Sequence, residues 1–164
     1  MAIENEAYMT ALKNCGLKKF FLTPCLRAQL EILQYLVSIW DENEEVFKLQ
    51  DQVLELEVSD VYFITRLSYR GPVPILTSSR PSGENMEQVM VRVCPGARTG
   101  SGSEKVDIHT VQDLALRVVL HTITRATGSQ APHEVTKAQL LLAAECMSPT
   151  LFDWATAVTK NIKR

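Results

Sequence analysis

The sequence predicts a mainly α, α+β fold: a helical domain with a small antiparallel β-hairpin and one long mobile loop, residues 1–164 forming a single domain. Three observations carry that reading. Apolar residues recur at spacings of three and four in segments near both ends of the chain. One block, residues 46–58, alternates with period two instead. Between the helical regions, residues 72–105 contain Pro72, Pro74, Pro81 and Pro95 and close with the linker-like GARTGSGSEK.

From Glu4 to Cys15, the positions Tyr8, Leu12 and Cys15 mark one helical face, and Gly16 stands where a helix stops. Thr23 and Pro24 supply an N-cap and a first-turn proline, after which Leu26, Leu30, Leu33, Val37 and Trp40 form an apolar stripe. Burying such side chains contributes roughly 1.5–3 kcal/mol each, so this helix is expected to be a principal wall of the core. The acidic DENEE of residues 41–45 ends it in solvent. Phe47 and Leu49, then Leu54, Leu56 and Val58, read as two strands around a turn at Gln50, Asp51 and Gln52. Ser59 is placed to cap a short helix over residues 60–66, with Asp60 near its positive end and Val61, Ile64 and Leu67 facing inward.

Gly71, Pro72 and Pro74 end that helix and open the loop. Within it, QVMVRVC alternates Val89, Val91 and Val93 against Met90, Arg92 and Cys94, which predicts one more strand or hairpin arm. Thr110 is placed to cap a helix whose Val111, Leu114, Val118 and Ile123 are buried, with Gly128 at its end. Thr136 caps KAQLLLAAECM, and Ser148 with Pro149 starts a last helix through Phe152, Ala155, Val158 and Ile162. Its basic end, Lys160, Lys163 and Arg164, has no cap after it, so the helix is expected to continue in a longer parent protein. No internal repeat is visible.

An apolar fraction of 46% and a charged fraction of 22% are those of a folding globular chain, and 164 residues suffice for one core. No run approaches the roughly 18–20 apolar residues of a membrane span, and the N-terminus carries acids where a signal peptide is basic, so an intracellular protein is expected. Cys15, Cys25, Cys94 and Cys146 form no CxxC pair and read as reduced, buried thiols. Residues 1–60 hold 11 acids and 5 bases, a balance of -6, and residues 61–164 hold 8 acids and 12 bases, +4, which adds to the net charge of -2. That split is milder than in a dedicated nucleic-acid binder.

Few residues offer chemistry. Cys94 with His109 or His121, oriented by Asp107 or Asp113, is the one combination for a nucleophile and base, but no nucleophile signature surrounds it, and the plainer reading is a buried thiol and a helix-face histidine. Scattered cysteines and histidines give no zinc pattern, and no phosphate-binding glycine motif follows a strand, so no metal and no cofactor is expected. Glu55, Glu57 and Asp60 fit the solvent face of a hairpin. Arg66, Arg70, Arg80, Arg92 and Arg98 face only Glu84 and Glu87 in the same stretch and form the candidate contact surface, since the guanidinium fork suits phosphate and carboxylate.

The segment FKLQDQVLELEVSDVYFITRLSYRG, residues 47–71, resembles the signature of the plant mobile domain, also called the aminotransferase-like plant mobile domain. The matching positions are Ser59, Asp60, Val61, Thr65, Leu67, Arg70 and Gly71, and LKKFFL and SPTLFDWATAVTKNIK resemble further segments in the same order. Arg66 departs from the family's glycine, so the turn is formed differently or the helix runs one residue further. The family domain is longer, which makes this chain an N-terminal portion or a shortened relative. The resemblance implies a transposable-element origin, a nuclear setting linked to gene silencing and genome maintenance, and no established catalytic residues. The aminotransferase-like label implies no chemistry, because the chain has no identifiable Schiff-base lysine context.

The leading expectation is therefore a non-enzymatic nuclear module that binds a protein partner, of unspecified oligomeric state. Its rival is direct DNA binding through the Arg66 to Arg98 region and the basic C-terminal end. An enzyme using Cys94 and a histidine is third.

Overall fold

The computed structural model describes the chain apart from residues 1, 25–26, 77–82, 101–103 and 164, with the side chains of residues 2–5 also set aside. It is mainly helical α+β, as expected, with two small antiparallel sheets where a single hairpin was expected. The helices are α1 (Ala2–Cys15), α2 (Lys18–Leu22), α3 (Leu30–Ser38), α4 (Val58–Thr65), α5 (Met86–Val93), α6 (Leu114–Ala126), α7 (Lys137–Cys146) and α8 (Trp154–Ile162). Strands β1 (Trp40–Asp41), β2 (Val46–Leu49) and β3 (Gln52–Glu55) form a meander, and β4 (Lys105–Asp107) pairs with β5 (Glu134–Thr136). No helix among the described residues is long and apolar enough to cross a membrane.

The core is built on α6, which packs against α1 and α7, while α5 lies on α7 and α4 on α8. Leu116, Val119, Leu120, Ile123 and Ala126 form the inward stripe of α6 and meet Leu12, Cys15, Leu140, Ala143 and Cys146. The predicted Val111 and Ile123 are buried, but Leu114 and Val118 lie at the edge of that stripe. Asp113, not Thr110, caps the helix by accepting from the Leu116 N–H. Thr110 instead accepts from the Arg98 N–H and donates to the Asp107 carbonyl. Thr136 caps α7 as expected, in a reciprocal box with Gln139.

The expected core wall is the largest correction. Among the described residues α3 begins only at Leu30, and its stripe is solvent-facing: Leu30 is 65% and Val37 75% exposed, with Leu33 also exposed. Trp40 leaves the helix for β1, where it packs on Phe47. Period 3.6 shows that one face is apolar; it does not supply an element to cover that face, and the core is already closed by α1, α5, α7 and α8. The hairpin β2–β3 forms with Phe47 opposite Leu54, turning at Gln50–Asp51, with Gln52 already in the strand.

Residues 72–105 are not one loop. QVMVRVC is helical rather than extended, because Asn85 accepts from the Gln88 N–H and the Gln88 side chain accepts from the Asn85 N–H, a box that starts α5. Met86, Val89, Met90 and Val93 then pack on the core while Val91 is exposed. In the glycine-rich stretch residues 101–103 lie outside the described residues; on either side of them Gly100 N–H donates to the Lys105 carbonyl, and Asp107 N–H to that of Arg98.

Helix α8 starts at Trp154, capped by Asp153, rather than at Ser148 and Pro149, and Ile162 is exposed. Three segments meet at that start. The Trp154 indole Nε1–H donates to the Cys15 carbonyl at 2.6 Å, Asp153 N–H to Pro72 O at 2.9 Å, and Ala155 N–H to Ser68 O at 2.9 Å. Gly71, at φ 95°, lies against this junction so closely that a Cβ there would stand 2.1 Å from the Leu151 carbonyl oxygen. Gly71→Ala is therefore expected to cost roughly 3 kcal/mol or more in urea denaturation, against about 0.5 kcal/mol or less for Gly83→Ala, where nothing lies within 4 Å.

Candidate functional site

The junction turns the family-like segment into one wall of a cleft. Glu57 is the N-cap of α4, its N–H donating to the Asp60 carboxylate at 2.9 Å, so the cap lies one step before α4's first residue and not at Ser59, whose Oγ donates to the Glu57 carboxylate. Val61 and Leu67 are buried as expected, but Ile64 is 71% exposed, because α4 presents one narrow face to α8. Thr65 Oγ1 donates to the Val61 carbonyl and accepts from the Leu67 N–H, which ends the helix. Arg66 occupies the left-handed C-cap at φ 60°, where the resemblance leads one to expect glycine.

The chain then turns outward through Ser68, Tyr69 and Arg70. Between this wall and α1–α2 lies an open cleft of about 450 Å³, lined by Lys13, Lys18, Lys19, Arg66 and Arg70, by Tyr62 and Tyr69, by Leu22 and Leu151, and by Gly16 and Ser68. Tyr62 and Tyr69 meet edge to face at 4.6 Å, and the Arg70 guanidinium lies 5.7 Å from the Tyr69 ring centre. Five cations face the cleft, and among the described residues no carboxylate lines it. Among the described residues none of the five makes an ion pair.

The predicted arginine surface is thus divided. Arg66 and Arg70 line the cleft. Arg92 is held bidentately by Glu84, at 3.1 and 2.7 Å, on α5, and Arg98 lines a separate groove with Met86, Met90 and Thr99. Arg80 lies outside the described residues. Lys13, Lys18 and Lys19 escaped the sequence reading because they stand some fifty residues from the arginines they join; the two adjacent lysines of LKKFFL were the available signal.

The residues weighed as a nucleophile and base pair have other partners. Cys94 closes α5, where burial pushes its thiol up. Asp107 accepts from the backbone N–H of His109 and Asp113 caps α6, so neither carboxylate is seen orienting an imidazole. Cys15, Cys94 and Cys146 are buried free thiols, as predicted, and Cys25 lies outside the described residues. The hydrogen bond that the Cys146 thiol donates to Cys15, with burial, pushes the Cys146 thiol far above its ordinary value. No family model, curated protein or solved structure matches the chain.

The Arg66 conformation gives a direct test. Arg66→Gly removes the cost of a side chain at positive φ, and despite the added freedom of the unfolded glycine it is expected to raise stability by about 0.5–1 kcal/mol in urea denaturation. A loss of stability would mean that the guanidinium makes an interaction stronger than this strain.

Proposed function

We propose that the chain is a non-enzymatic interaction module that takes an acidic protein segment into the cleft between α1–α2 and residues 62–70. The cluster of five cations, with no carboxylate beside it among the described residues, carries this reading. Lysines and arginines supply the charge, Tyr62 and Tyr69 with Leu22 and Leu151 supply apolar walls, and the guanidinium groups of Arg66 and Arg70 suit paired contacts to carboxylates. Among the described residues no histidine, cysteine, aspartate or glutamate lines the cleft.

Direct DNA binding is the second reading, favoured by the same cations. Two features support the protein partner over it. The net charge of -2, with 11 acids in the first 60 residues, opposes broad contact with a duplex. The arm formed by α3 and the β1–β3 meander leaves Leu30, Ile32, Leu33, Tyr35, Val37, Val53 and Leu54 exposed, an apolar surface suited to protein and not to phosphate. A nuclear role of transposable-element origin, tied to silencing or genome maintenance, rests on the resemblance in residues 47–71 alone.

Fluorescence anisotropy with a labelled poly(Glu,Tyr) peptide and a labelled DNA duplex, each at low and near-physiological salt, tests the two readings. The peptide is expected to bind more tightly than the duplex, with Arg66→Ala plus Arg70→Ala weakening it about tenfold or more. Arg92→Ala should leave it unchanged, since that arginine is paired away from the cleft. Tighter duplex binding, lost in the same double variant and steeply salt-dependent, would install the second reading. Binding of either probe that ignores the double variant would remove the cleft as the contact site.

A further inference from the structure

The three histidines of this chain, far apart in sequence, gather at one place. His109 lies on a short 3₁₀ turn, Ile108–Thr110, directly after β4; His133 precedes β5; His121 is on α6. His109 Nε2 and His133 Nδ1 face each other at 3.1 Å, with ring centres 4.8 Å apart, and the His121 ring centre stands 6.0 Å from that of His109. His109 and His133 are exposed; His121 is half-buried.

Backbone bonds set this approach. Ile108 N–H donates to the His133 carbonyl at 2.9 Å, continuing the ladder beyond the Asp107–Glu134 pair, and the Asp107 carboxylate accepts from His109 N–H at 2.9 Å. The two rings are therefore presented by positions that β4 and β5 hold in register. Two imidazoles at 3.1 Å match the bite of a borderline divalent ion: bonds of about 2.05 Å place neighbouring nitrogens about 3.3 Å apart in tetrahedral and about 2.9 Å apart in square-planar geometry.

We propose that His109 Nε2 and His133 Nδ1 form a two-imidazole site for a borderline divalent cation such as Zn²⁺ or Ni²⁺, the remaining positions being filled by water. No group of three His, Cys, Asp or Glu side chains among the described residues is arranged to hold a metal ion, so the site is a pair rather than a closed structural centre. On binding, the proton shared between the facing nitrogens moves through solvent to the outer nitrogen of its own ring, and each inner lone pair turns to the ion; two neutral rings stay neutral. Burial first, then His109, His133 and Arg117, hold the His121 imidazole below its ordinary range, so this neighbour adds no positive charge near neutral pH. Charges close in sequence to the site are Asp107, whose carboxylate caps the 3₁₀ turn, and Glu134 with Lys105, which pair at 3.9 Å. The bound ion would tie the 3₁₀ turn to the start of β5 and raise Tm through preferential binding to the folded chain.

Calorimetric titration of the reduced, full chain with NiCl2 and with ZnCl2 tests this, alongside His109→Gln and His133→Gln. Both substitutions are at exposed rings, so the metal-free Tm should not move. Saturable one-site binding, weakened at least about tenfold by either substitution, with loss of the metal-induced Tm rise, is expected. Binding unaffected by both would place the ion on thiols or the amino terminus, and absence of saturable binding would equally overturn the site.

Discussion

The indole of Trp154 donating to the Cys15 carbonyl is the contact on which the rest of the molecule is hung. It joins residues 139 positions apart, deep in the core, and it satisfies a carbonyl that the end of α1 would otherwise leave without a helical partner. Around it, Asp153 and Ala155 donate to Pro72 and Ser68, so the first helix, the segment after α4 and the start of α8 are held by backbone bonds rather than by packing alone. Gly71 and Gly16 permit this approach, for a side chain at either would strike Leu151 or Ser68.

The same junction makes the cleft. Gly16, Ser68 and Leu151 lie on its lining, and the chain that the junction turns outward carries Arg66, Tyr69 and Arg70 to face Lys13, Lys18 and Lys19. Several cations elsewhere on the surface are paired: Lys48 with Asp41 and Glu44, Arg92 with Glu84, Lys163 with Glu55. A chain of net charge -2 thus gathers five cations without an ion pair among the described residues in one concave place, where the proposed acidic partner would find the charge to offset the cost of desolvating its carboxylates.

How far this was legible in the sequence depends on range. Local patterns gave α1 with its stop at Gly16, the β2–β3 hairpin and the Thr136 cap, because neighbours within a few residues decide them. The Asn85–Gln88 box of α5 was equally local, but three alternating valines obscured it, since Val89 and Val93 also satisfy a helical spacing. Strands β4 and β5 are three residues each, too short to show any period. The exposed face of α3 and the meeting of lysines with arginines depend on which elements pack together, information that no window of sequence contains.

Native-state hydrogen exchange at the Trp154 indole N–H and at the Asp153 and Ala155 amides tests the central role of the junction. If it holds the fold together, all three exchange only through global unfolding, with a free energy equal to that from denaturation and the same dependence on urea. Exchange through a local, urea-insensitive opening would show that α1, the post-α4 segment and α8 separate without loss of the core, and the junction would then be a consequence of the fold and not its support.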